Sequence, residues 1–294
     1  MTDNAPRILD LHMHSMVSDG TDSPAELLDK VKAAGIGLFS LTDHDAIRGS
    51  VELLALRAPG DPDFIPGVEF SCQDDLGKYH ILGYDYDPDA APIRDVVALG
   101  HDLRMKKLQK RLDFLAEEFG FRFPEQELAS LAALPNPGKP HIGNLMVKLG
   151  FAETKEQAIK EYLNRLKLKD DHVRPEEAIR GILGAGGIPV LAHPCYGDGD
   201  QLILGEELDR RVAYLMGFGL QGLEAYYSGF SETLRAQALG LAEKYALYVT
   251  AGSDYHGKNK LIALADTGLG AEEDRADGLL RFLAELRRRR AETP

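Results

Sequence analysis

The sequence predicts an α/β fold made of repeated strand–helix units, with a helical insertion in the middle. Three observations support this prediction. Short apolar or β-branched runs end abruptly in polar residues, most of these runs precede a helical pattern, and residues 92–171 contain long helical patterns without a convincing strand. Because strands alternating with helices are typical of parallel sheets, the pattern favours an α/β barrel interrupted once.

Seven runs are predicted as strands, and each contains or precedes polar side chains. They are residues 7–11 before HMHS, 36–41 before TDHD, 64–68 before Glu69, 79–82 around His80, 188–192 before His193, 222–225 before YYS and 247–251 before GSDYH. The first helix is signalled by a capping box, Ser23-Pro24-Ala25-Glu26, with proline at the first helical position and Gly35 after the last turn.

The insertion divides the chain into three predicted parts, namely a first barrel part at residues 1–90, a helical cap at 91–174 and a second barrel part at 175–294. The cap is rich in basic residues, which are Arg104, Lys106, Lys107, Lys110, Arg111, Lys139, Lys167 and Lys169. A local positive surface is expected for a phosphate-bearing substrate. For each of these residues, a solvated helix face is an equally good interpretation.

Composition excludes several classes of protein. The 294 residues are 44% hydrophobic and 28% charged, with 47 acidic and 34 basic side chains for a net charge of −13. These values exclude disordered, collagenous and membrane-spanning chains, and the acidity disfavours a long nucleic acid as partner. Cys72 and Cys195 are expected to be free thiols, and no signal peptide is evident, so the predicted location is the cytoplasm.

The candidate functional residues are histidines and acids near the ends of the predicted strands. The histidines are His12, His14, His44, His80, His193 and His256, and the acids are Asp19, Glu69 and Asp254. Imidazole and carboxylate together suit Mn, Fe or Zn. In HMHS the two histidines lie two residues apart on a strand, so both rings point to the same side. In a parallel barrel, the carboxyl ends of all strands converge on one face, which is where barrel enzymes place their active sites.

Six ordered motifs, HMHSMVSDGT, LTDHD, GVEFS, YHILGY, LAHP and GSDYHG, resemble those of the polymerase and histidinol phosphatase (PHP) family of metal-dependent phosphoesterases. The resemblance implies a distorted (βα)7 barrel with a helical insertion and a trinuclear metal centre. It implies that His12, His14, Glu69 and Asp254 hold one ion, that Glu69, His80 and His193 hold a second, and that Asp19, His44 and His256 hold a third. Mn²⁺ is the first expectation, with Fe²⁺ or Zn²⁺ as alternatives.

The expected reaction is attack of a metal-bridging hydroxide on phosphorus. Three divalent ions carry six positive charges against three ligand carboxylates, so the site should prefer an anionic phosphoester to a neutral amide. Asp45 is expected to support a ligand, and His141 to donate a proton to the leaving group or contact phosphate, although an equally good interpretation places His141 in a local helix-end bond. The candidate substrate-binding residues are Lys139, Lys167, Lys169, Arg48, Tyr226 and Tyr227. Packing in the core is the alternative for the two tyrosines, and His101 and His172 are predicted to be solvated.

Relatives with this insertion hydrolyse nucleoside 3',5'-bisphosphates, trim RNA from the 5' end, or open and hydrolyse a phosphoribosyl cyclic phosphate. The sequence has HPCYG where the first two groups carry HPGRY, and Lys139 where they carry arginine. We therefore expect a small phosphorylated sugar, first phosphoribosyl 1,2-cyclic phosphate and second a nucleoside 3',5'-bisphosphate or short RNA. A metal-dependent amidohydrolase, a non-catalytic structural role and a nucleic-acid-binding module are the disfavoured alternatives. The oligomeric state is not predicted.

Overall fold

Seven strands form a single sheet in a computed structural model that describes residues 8–134, 136–168, 172–197, 201–270 and 275–292. The strands are β1 (Leu9–Asp10), β2 (Leu38–Leu41), β3 (Asp63–Gln73), β4 (Lys78–Tyr84), β5 (Ile188–Leu191), β6 (Gly222–Tyr227) and β7 (Tyr248–Gly252). Their order in the sheet is their order in the chain. All seven predicted strands are therefore present, each shifted at its ends by a few residues.

The sheet is a nearly closed barrel. The Leu11 backbone N–H donates to the Ala251 carbonyl over 2.9 Å, and Met13 forms a parallel bridge with Tyr255, so the chain after β1 is joined to β7 and its continuation. All neighbouring pairs are parallel except β3–β4 and β4–β5, which are antiparallel. The predicted α/β class and the distorted seven-stranded barrel are confirmed, and the reversed β4 is the distortion.

Ten helices surround or extend the barrel in the described residues. They are α1 (Pro24–Ala33), α2 (Arg48–Leu56), α3 (Ala91–Phe119), α4 (Glu125–Ala132), α5 (Lys139–Lys148), α6 (Lys155–Gln157), α7 (Pro175–Gly184), α8 (Gly205–Met216), α9 (Glu232–Lys244) and α10 (Asp277–Glu292). The α1 capping box forms as predicted: Ser23 Oγ accepts from the Glu26 N–H, and the Glu26 carboxylate accepts from the Ser23 N–H. Gly35 ends this helix with φ of +67°, a conformation that favours glycine.

The insertion has an apolar cluster of its own. Leu108 and Leu115 of α3 pack with Leu131 of α4 and with Ile142 and Met146 of α5, and this cluster is separate from that of the barrel strands. A π-helical turn, Ala158–Tyr162, and a short 3₁₀ turn, Leu163–Arg165, follow α6. The first half of α3 contacts α7 beside the barrel, so the same helix belongs to both parts. The exact limits of the three predicted parts stay a prediction.

The reversal of β4 explains how His80 reaches the face used by the other candidates. His80 is the third residue of β4, not a residue at its carboxyl end. Since β4 runs opposite to its neighbours, its beginning lies at the edge where the parallel strands finish, and Ser71 of β3 is its partner in the sheet. The candidate residues therefore gather on one face despite the irregular strand. Within the described residues, no helix is both long and apolar enough to cross a membrane.

Candidate metal centre

The two histidines of HMHS point the same way and are fully buried. His12 Nε2 and His14 Nε2 lie 3.1 Å apart, and Asp254 Oδ1 lies 3.6 Å from the first and 3.3 Å from the second. Asp254 follows β7 and is tied to β1, because its N–H donates to the His12 carbonyl over 2.8 Å. These three residues therefore present ring nitrogens and a carboxylate oxygen toward one point.

Glu69 lies at the centre of the cluster and uses both carboxylate oxygens. Its Oε1 lies 3.3 Å from His12 Nε2, 2.9 Å from His80 Nδ1 and 3.3 Å from His193 Nε2. Its Oε2 lies 3.3 Å from His14 Nε2 and 3.1 Å from His44 Nδ1. One carboxylate thus faces five imidazoles, an arrangement suited to sharing between cations.

Asp19 is the third acid of the cluster and lies on its more open side. Its Oδ1 lies 3.3 Å from His256 Nε2 and 3.7 Å from His14 Nδ1, and its Oδ2 lies 3.9 Å from His44 Nε2. The His256 ring Nδ1 lies 2.8 Å from the Asp254 carbonyl oxygen, so it donates there and leaves Nε2 directed at Asp19. Asp254 and His256 lie on one side, as the spacing in GSDYH predicts.

Three groups of side chains are close enough to hold an ion each. They are His12, His14 and Asp254; His44, Glu69 and His80; and His14, Asp19, His44 and His256. The predicted partition places His193 rather than His44 beside Glu69 and His80, and His193 Nε2 indeed lies 3.2 Å from His80 Nδ1. All nine predicted ligands are therefore brought together, with His14 and His44 at the boundaries between groups.

The donor geometry fits divalent cations. Two imidazole nitrogens bound at about 2.1 Å to one ion, at angles of 90–110°, are about 3.0–3.4 Å apart. The His12–His14 and His80–His193 nitrogen pairs, at 3.1 and 3.2 Å, match that separation. The donor set is imidazole and carboxylate only, which suits first-row divalent ions.

Electrostatics also favour cations at this face. Burial alone would raise the pKa of the buried carboxyls, but neighbouring positive charge outweighs it and holds the pKa of Glu69, Asp254 and Asp19 well below the ordinary range. Burial lowers the pKa of His44 to about 3, against the opposing charges of Glu69 and Asp19, so its nitrogen lone pair is available. Burial opposes charge on His14 too, yet bonds to Asp254 and Glu69 raise its pKa to about 9. In the metal-free protein a proton therefore occupies a position that a cation would take.

Glu224 is a functional residue that the sequence prediction missed. It lies in the middle of β6 and is completely buried. The His12 Nδ1–H donates to its Oε1, and the His193 backbone N–H donates to its Oε2, both over 2.9 Å. The bond fixes His12 with its proton on Nδ1, so Nε2 is left to bind a metal. An acid inside an otherwise apolar strand is the sequence signal that identifies such a residue.

Tyr227 and Lys260 hold the outer oxygen of Asp254. The Tyr227 hydroxyl donates to Asp254 Oδ2 over 2.9 Å, and the Lys260 ammonium donates to the same oxygen over 2.6 Å. Oδ1 is thereby left for His12, His14 and His256. Asp254 also has φ of +59°, and His193 has φ of +27°, a sparsely populated region for residues with a side chain. Backbone strain thus coincides with two predicted ligands.

A cavity of about 210 Å³ opens beside His44, His80 and Asp19. Its other lining residues include five basic side chains, which are Lys78, Arg104, Lys107, Arg111 and Lys139. His172 lines it as well. Positive groups from β4, α3 and α5 therefore meet at the edge of the metal-binding cluster, where an anion attached to a reacting group would lie.

Comparison with known proteins agrees with this geometry. The sequence pattern of the PHP domain matches residues 10–169. The chain belongs to the PHP-domain family. A 3',5'-nucleoside bisphosphate phosphatase of Chromobacterium violaceum is 29% identical over 261 residues, covering 84% of this chain and 87% of that protein. A phosphoribosyl 1,2-cyclic phosphate 1,2-diphosphodiesterase of Eggerthella lenta is 30% identical over 265 residues, covering 85% of this chain and 95% of that protein.

Solved structures give the same result. A Bifidobacterium adolescentis protein assigned to the metal-dependent phosphoesterases superposes with a TM-score of 0.77 at 25% identity, covering 94% of this chain and 95% of that one. A protein of Chromobacterium violaceum described as an amidohydrolase with bound sulfate superposes with a TM-score of 0.74 at 26% identity, covering 87% and 89%. The predicted family and enzyme class, a metal-dependent phosphoesterase, are confirmed.

In this PHP-domain phosphoesterase, the predicted substrate-binding residues divide into three sets. Lys139 lines the cavity, where its ammonium donates to Asn164 Oδ1 over 2.7 Å. Arg48 and Lys167 are exposed, and neither is among the residues that line the cavity. Lys169 lies outside the described residues. Of Arg48, Lys139 and Lys167, the three that lie within the described residues, Lys139 is the one that lines the cavity beside the cluster.

The prediction that Tyr226 contacts substrate is wrong, whereas Tyr227 lies at the site. Tyr226 is buried in the barrel core, and its hydroxyl oxygen accepts from the Ala276 N–H over 3.1 Å. A register shift between Glu224 and Tyr226 in the β6–β7 pairing interrupts the regular alternation and turns this side chain away from the metal face. The Tyr227 ring lies 5.3 Å from the ring of His193.

The structure also describes the surroundings of Asp45, His141 and His172, of which His172 differs from its predicted environment. Asp45 accepts from the Arg104 guanidinium and from the Ser71 N–H, so it supports the site through Arg104 and β3 instead of bonding a ligand side chain. His141 Nδ1 accepts from the Gly138 N–H over 3.0 Å, which is the local helix-end bond. His172 is half-buried at the cavity, and burial, together with the charges of Lys107 and Lys78, lowers its pKa to about 3. The prediction of a solvated His172 is therefore wrong.

Proposed function

We propose that this phosphoesterase hydrolyses a small ribose ester bearing two phosphate groups, with phosphoribosyl 1,2-cyclic phosphate as the first candidate. The observation that supports the proposal is the basic cavity beside the histidine–carboxylate cluster. One phosphate would react at the cluster, while the other would be bound by the cationic side chains of Arg104, Lys107 and Lys139. The cavity of about 210 Å³ is suited to a sugar phosphate rather than to a polymer.

The nine predicted ligands would hold three divalent ions, Mn²⁺ in the first place and Fe²⁺ or Zn²⁺ as alternatives. Glu69 would be shared, because its two oxygens face different sets of histidines. Such ions act as Lewis acids on phosphoryl oxygens and lower the pKa of water. The chain itself positions them: Glu224 fixes the His12 tautomer, and Tyr227 with Lys260 orients Asp254.

We propose that His141 donates a hydrogen bond from Nε2 to the leaving oxygen or to phosphate; because the ring is neutral near pH 7, the proton for the leaving group comes from water. Because Nδ1 accepts from the Gly138 N–H, a neutral ring carries its proton on Nε2. Burial lowers the pKa of His141, against the opposing charge of Asp19, so the ring is neutral near pH 7. The side chain is therefore held as a donor through Nε2, at the start of the same helix as Lys139.

A nucleoside 3',5'-bisphosphate or a short RNA is the second candidate substrate. It also carries two phosphates near one ribose, and the phosphatase relative of Chromobacterium violaceum bears that name. The cyclic phosphate is preferred because the chain lacks the arginine-containing HPGRY sequence of those relatives and has HPCYG. A neutral amide, the substrate of an amidohydrolase, carries no negative charge for the basic side chains of the cavity to bind, so this function is disfavoured.

Further proposals concern the partners of the protein and its location in the cell. The net charge of −13 disfavours long nucleic acids as substrates, and the positive groups are concentrated at the cavity. Cys72 and Cys195 are free and buried thiols, which supports a cytoplasmic location. Membrane association is not proposed.

Hydrolysis in Mn²⁺ tests the substrate, and it is followed by phosphorus nuclear magnetic resonance so that ring opening and phosphate release are both observed. We expect kcat/KM for phosphoribosyl 1,2-cyclic phosphate to exceed that for ribose 1,2-cyclic phosphate, which lacks the second phosphate, by about 100-fold, since two charge-assisted bonds of roughly 1.5 kcal/mol each are lost. Lys107→Met should reduce that ratio, whereas Lys148→Met, which removes an exposed lysine paired with Glu127 on the insertion, should not. Equal kcat/KM for the two esters would contradict the proposal.

A further inference from the structure

We infer that the insertion positions one part of the metal centre, the group formed by Asp19, His44 and His256, and that the barrel positions His12, His193 and Asp254. The inference rests on the proposed metal centre and adds that different parts of the chain position different ligands within it. It follows from the hydrogen bonds that reach each ligand from outside the cluster. Those bonds come from two different parts of the chain.

Asn136 is the first link between the insertion and this group. It lies in the loop before α5, is only 3% exposed, and its Nδ2 donates to the His44 carbonyl oxygen. The residue after His44, Asp45, has φ of +49°, so the backbone here adopts a conformation that needs support. Asn136 therefore fixes the peptide that carries the His44 ring.

Arg104 of α3 is the second link, on the other side of the same peptide. Its guanidinium is bonded to the Asp45 carboxylate and lies 3.5 Å from Ser71 Oγ, which in turn lies 3.4 Å from His44 Nδ1. Gly100, one turn before Arg104, lets α3 approach, because an added Cβ would lie 3.2 Å from the Asp45 Cβ. Two separate segments of the insertion thus meet at His44 and its neighbour.

Lys155 provides a third link, to Asp19 and His256. Its ammonium lies 3.3 Å from Asn259 Oδ1, and Asn259 Nδ2 donates to the Asp19 carbonyl over 2.7 Å. Asn259 belongs to the 3₁₀ turn Gly257–Asn259 directly after His256, and its N–H bonds the His256 carbonyl. Asn259 therefore joins both ligands, Asp19 through its side chain and His256 through its backbone, and Lys155 joins the Asn259 side chain to the insertion.

Three other ligands, His12, His193 and Asp254, are supported by residues of the barrel. Glu224 of β6 bonds His12 and the His193 backbone, while Tyr227 of the same strand bonds Asp254. For these three ligands, each side-chain partner outside the cluster that the described residues provide comes from the barrel. The side-chain supports of His12, His193 and Asp254 do not include the insertion, so a change in the insertion should affect the group of Asp19, His44 and His256 more than these three ligands.

The physical consequence is coupling between the insertion and one ion. The insertion has its own apolar cluster and meets this ligand group through polar bonds, while Ile93 and Val96 in the first half of α3 pack with the barrel core. By linkage, whatever holds the insertion in place raises the affinity for the ion bound by Asp19, His44 and His256, and that ion holds the insertion in return. A substrate bound between α3, α5 and the cluster would strengthen both.

The test is a Mn²⁺ titration of metal-free full-length protein, followed by electron paramagnetic resonance of free Mn²⁺. Asn136→Ala should weaken one of three binding events about tenfold, and Lys155→Met the same event about threefold, with the other two unchanged within twofold. Lys148→Met is the matched control within the insertion and should bind all three ions as the wild type does. Glu224→Gln should instead weaken the binding events at the other two ions, because Glu224 bonds His12 and the His193 backbone.

Three outcomes would overturn the inference. One is equal weakening of all three events in Asn136→Ala, and another is wild-type binding by both Asn136→Ala and Lys155→Met. The third is a wild-type protein that binds fewer than three ions, which would also overturn the proposed centre; the first two leave that centre intact. Should Asn136→Ala fail to fold, judged by circular dichroism of the metal-free protein, Lys155→Met decides the result alone, because its altered side chain is partly exposed.

Discussion

Replacing the buried Glu224 by glutamine should lower metal affinity without changing the shape of the site. In the native protein both carboxylate oxygens accept, one from the His12 ring and one from the His193 backbone, over 2.9 Å each. Glutamine offers one acceptor and one donor, so only one of these bonds survives. If the amide nitrogen faces His12, the ring must shift its proton to Nε2, the atom directed at the metal position.

The magnitude follows from these contacts. Loss of a partner that orients a ligand histidine typically costs 10–100-fold in affinity, about 1.4–2.8 kcal/mol. If instead the amide nitrogen faces the His193 N–H, a buried donor is left unpaired and the metal-free protein loses about 1–3 kcal/mol of unfolding free energy. Glu224→Gln should therefore show weaker Mn²⁺ binding, lower stability, or both.

The assay pairs Mn²⁺ competition against a fluorescent chelator with urea unfolding of the metal-free protein. Glu232→Gln, which removes one negative charge from an exposed position at the start of α9, is the control and should change neither quantity. Mn²⁺ affinity within twofold of the wild type, together with an unchanged urea midpoint, would refute the role given to Glu224.

Other predictions concern neighbouring residues and pH. Tyr227→Phe should lower kcat at least tenfold, because Asp254 loses a hydrogen bond. Tyr226→Phe should lower the free energy of unfolding by about 1 kcal/mol and leave kcat unchanged. A loss of kcat in Tyr226→Phe with an unchanged kcat in Tyr227→Phe would show that the roles of the two side chains are misassigned. Since the pKa of His14 is about 9 without metal, metal loading at pH 7.5 should release a proton from His14, and this release should decline as the pH rises through about 9. Burial opposes charge on His12, yet Glu224, Glu69 and Asp254 raise its pKa as well, so His12 adds to the release. Calorimetry in buffers of different ionisation enthalpy measures the released protons, and an unchanged release across that range would argue against the role of His14.

The ligand residues were predictable because parallel strands converge at one edge. His12 and His14 flank Met13, and Asp254 and His256 flank Tyr255; the parallel bridge between Met13 and Tyr255, just beyond β1 and β7, places each pair on the same side. The first helix was predictable from the Ser23 capping box, which acts over four residues. Local rules therefore gave the strands, the first helix and the identity of the residues that gather on the metal-facing edge.

What could not be predicted depends on contacts between distant strands. The antiparallel direction of β4 is decided by its pairing with β3 and β5, and it changes how His80 reaches the site. The orientation of Tyr226 depends on a register shift against β7, and the burial of His172 depends on α3 lying over it. Glu224 was missed because its role depends on a hydrogen bond to His12, which lies 212 residues away in the sequence.

Anomalous diffraction at the manganese edge from crystals soaked in Mn²⁺ locates the bound ions. We expect three peaks, all on the face of the barrel where Glu69 lies: one among His12, His14 and Asp254, one beside His80 and His193, and one beside His256. A single peak, or peaks away from this face, would show that these residues do not hold three ions.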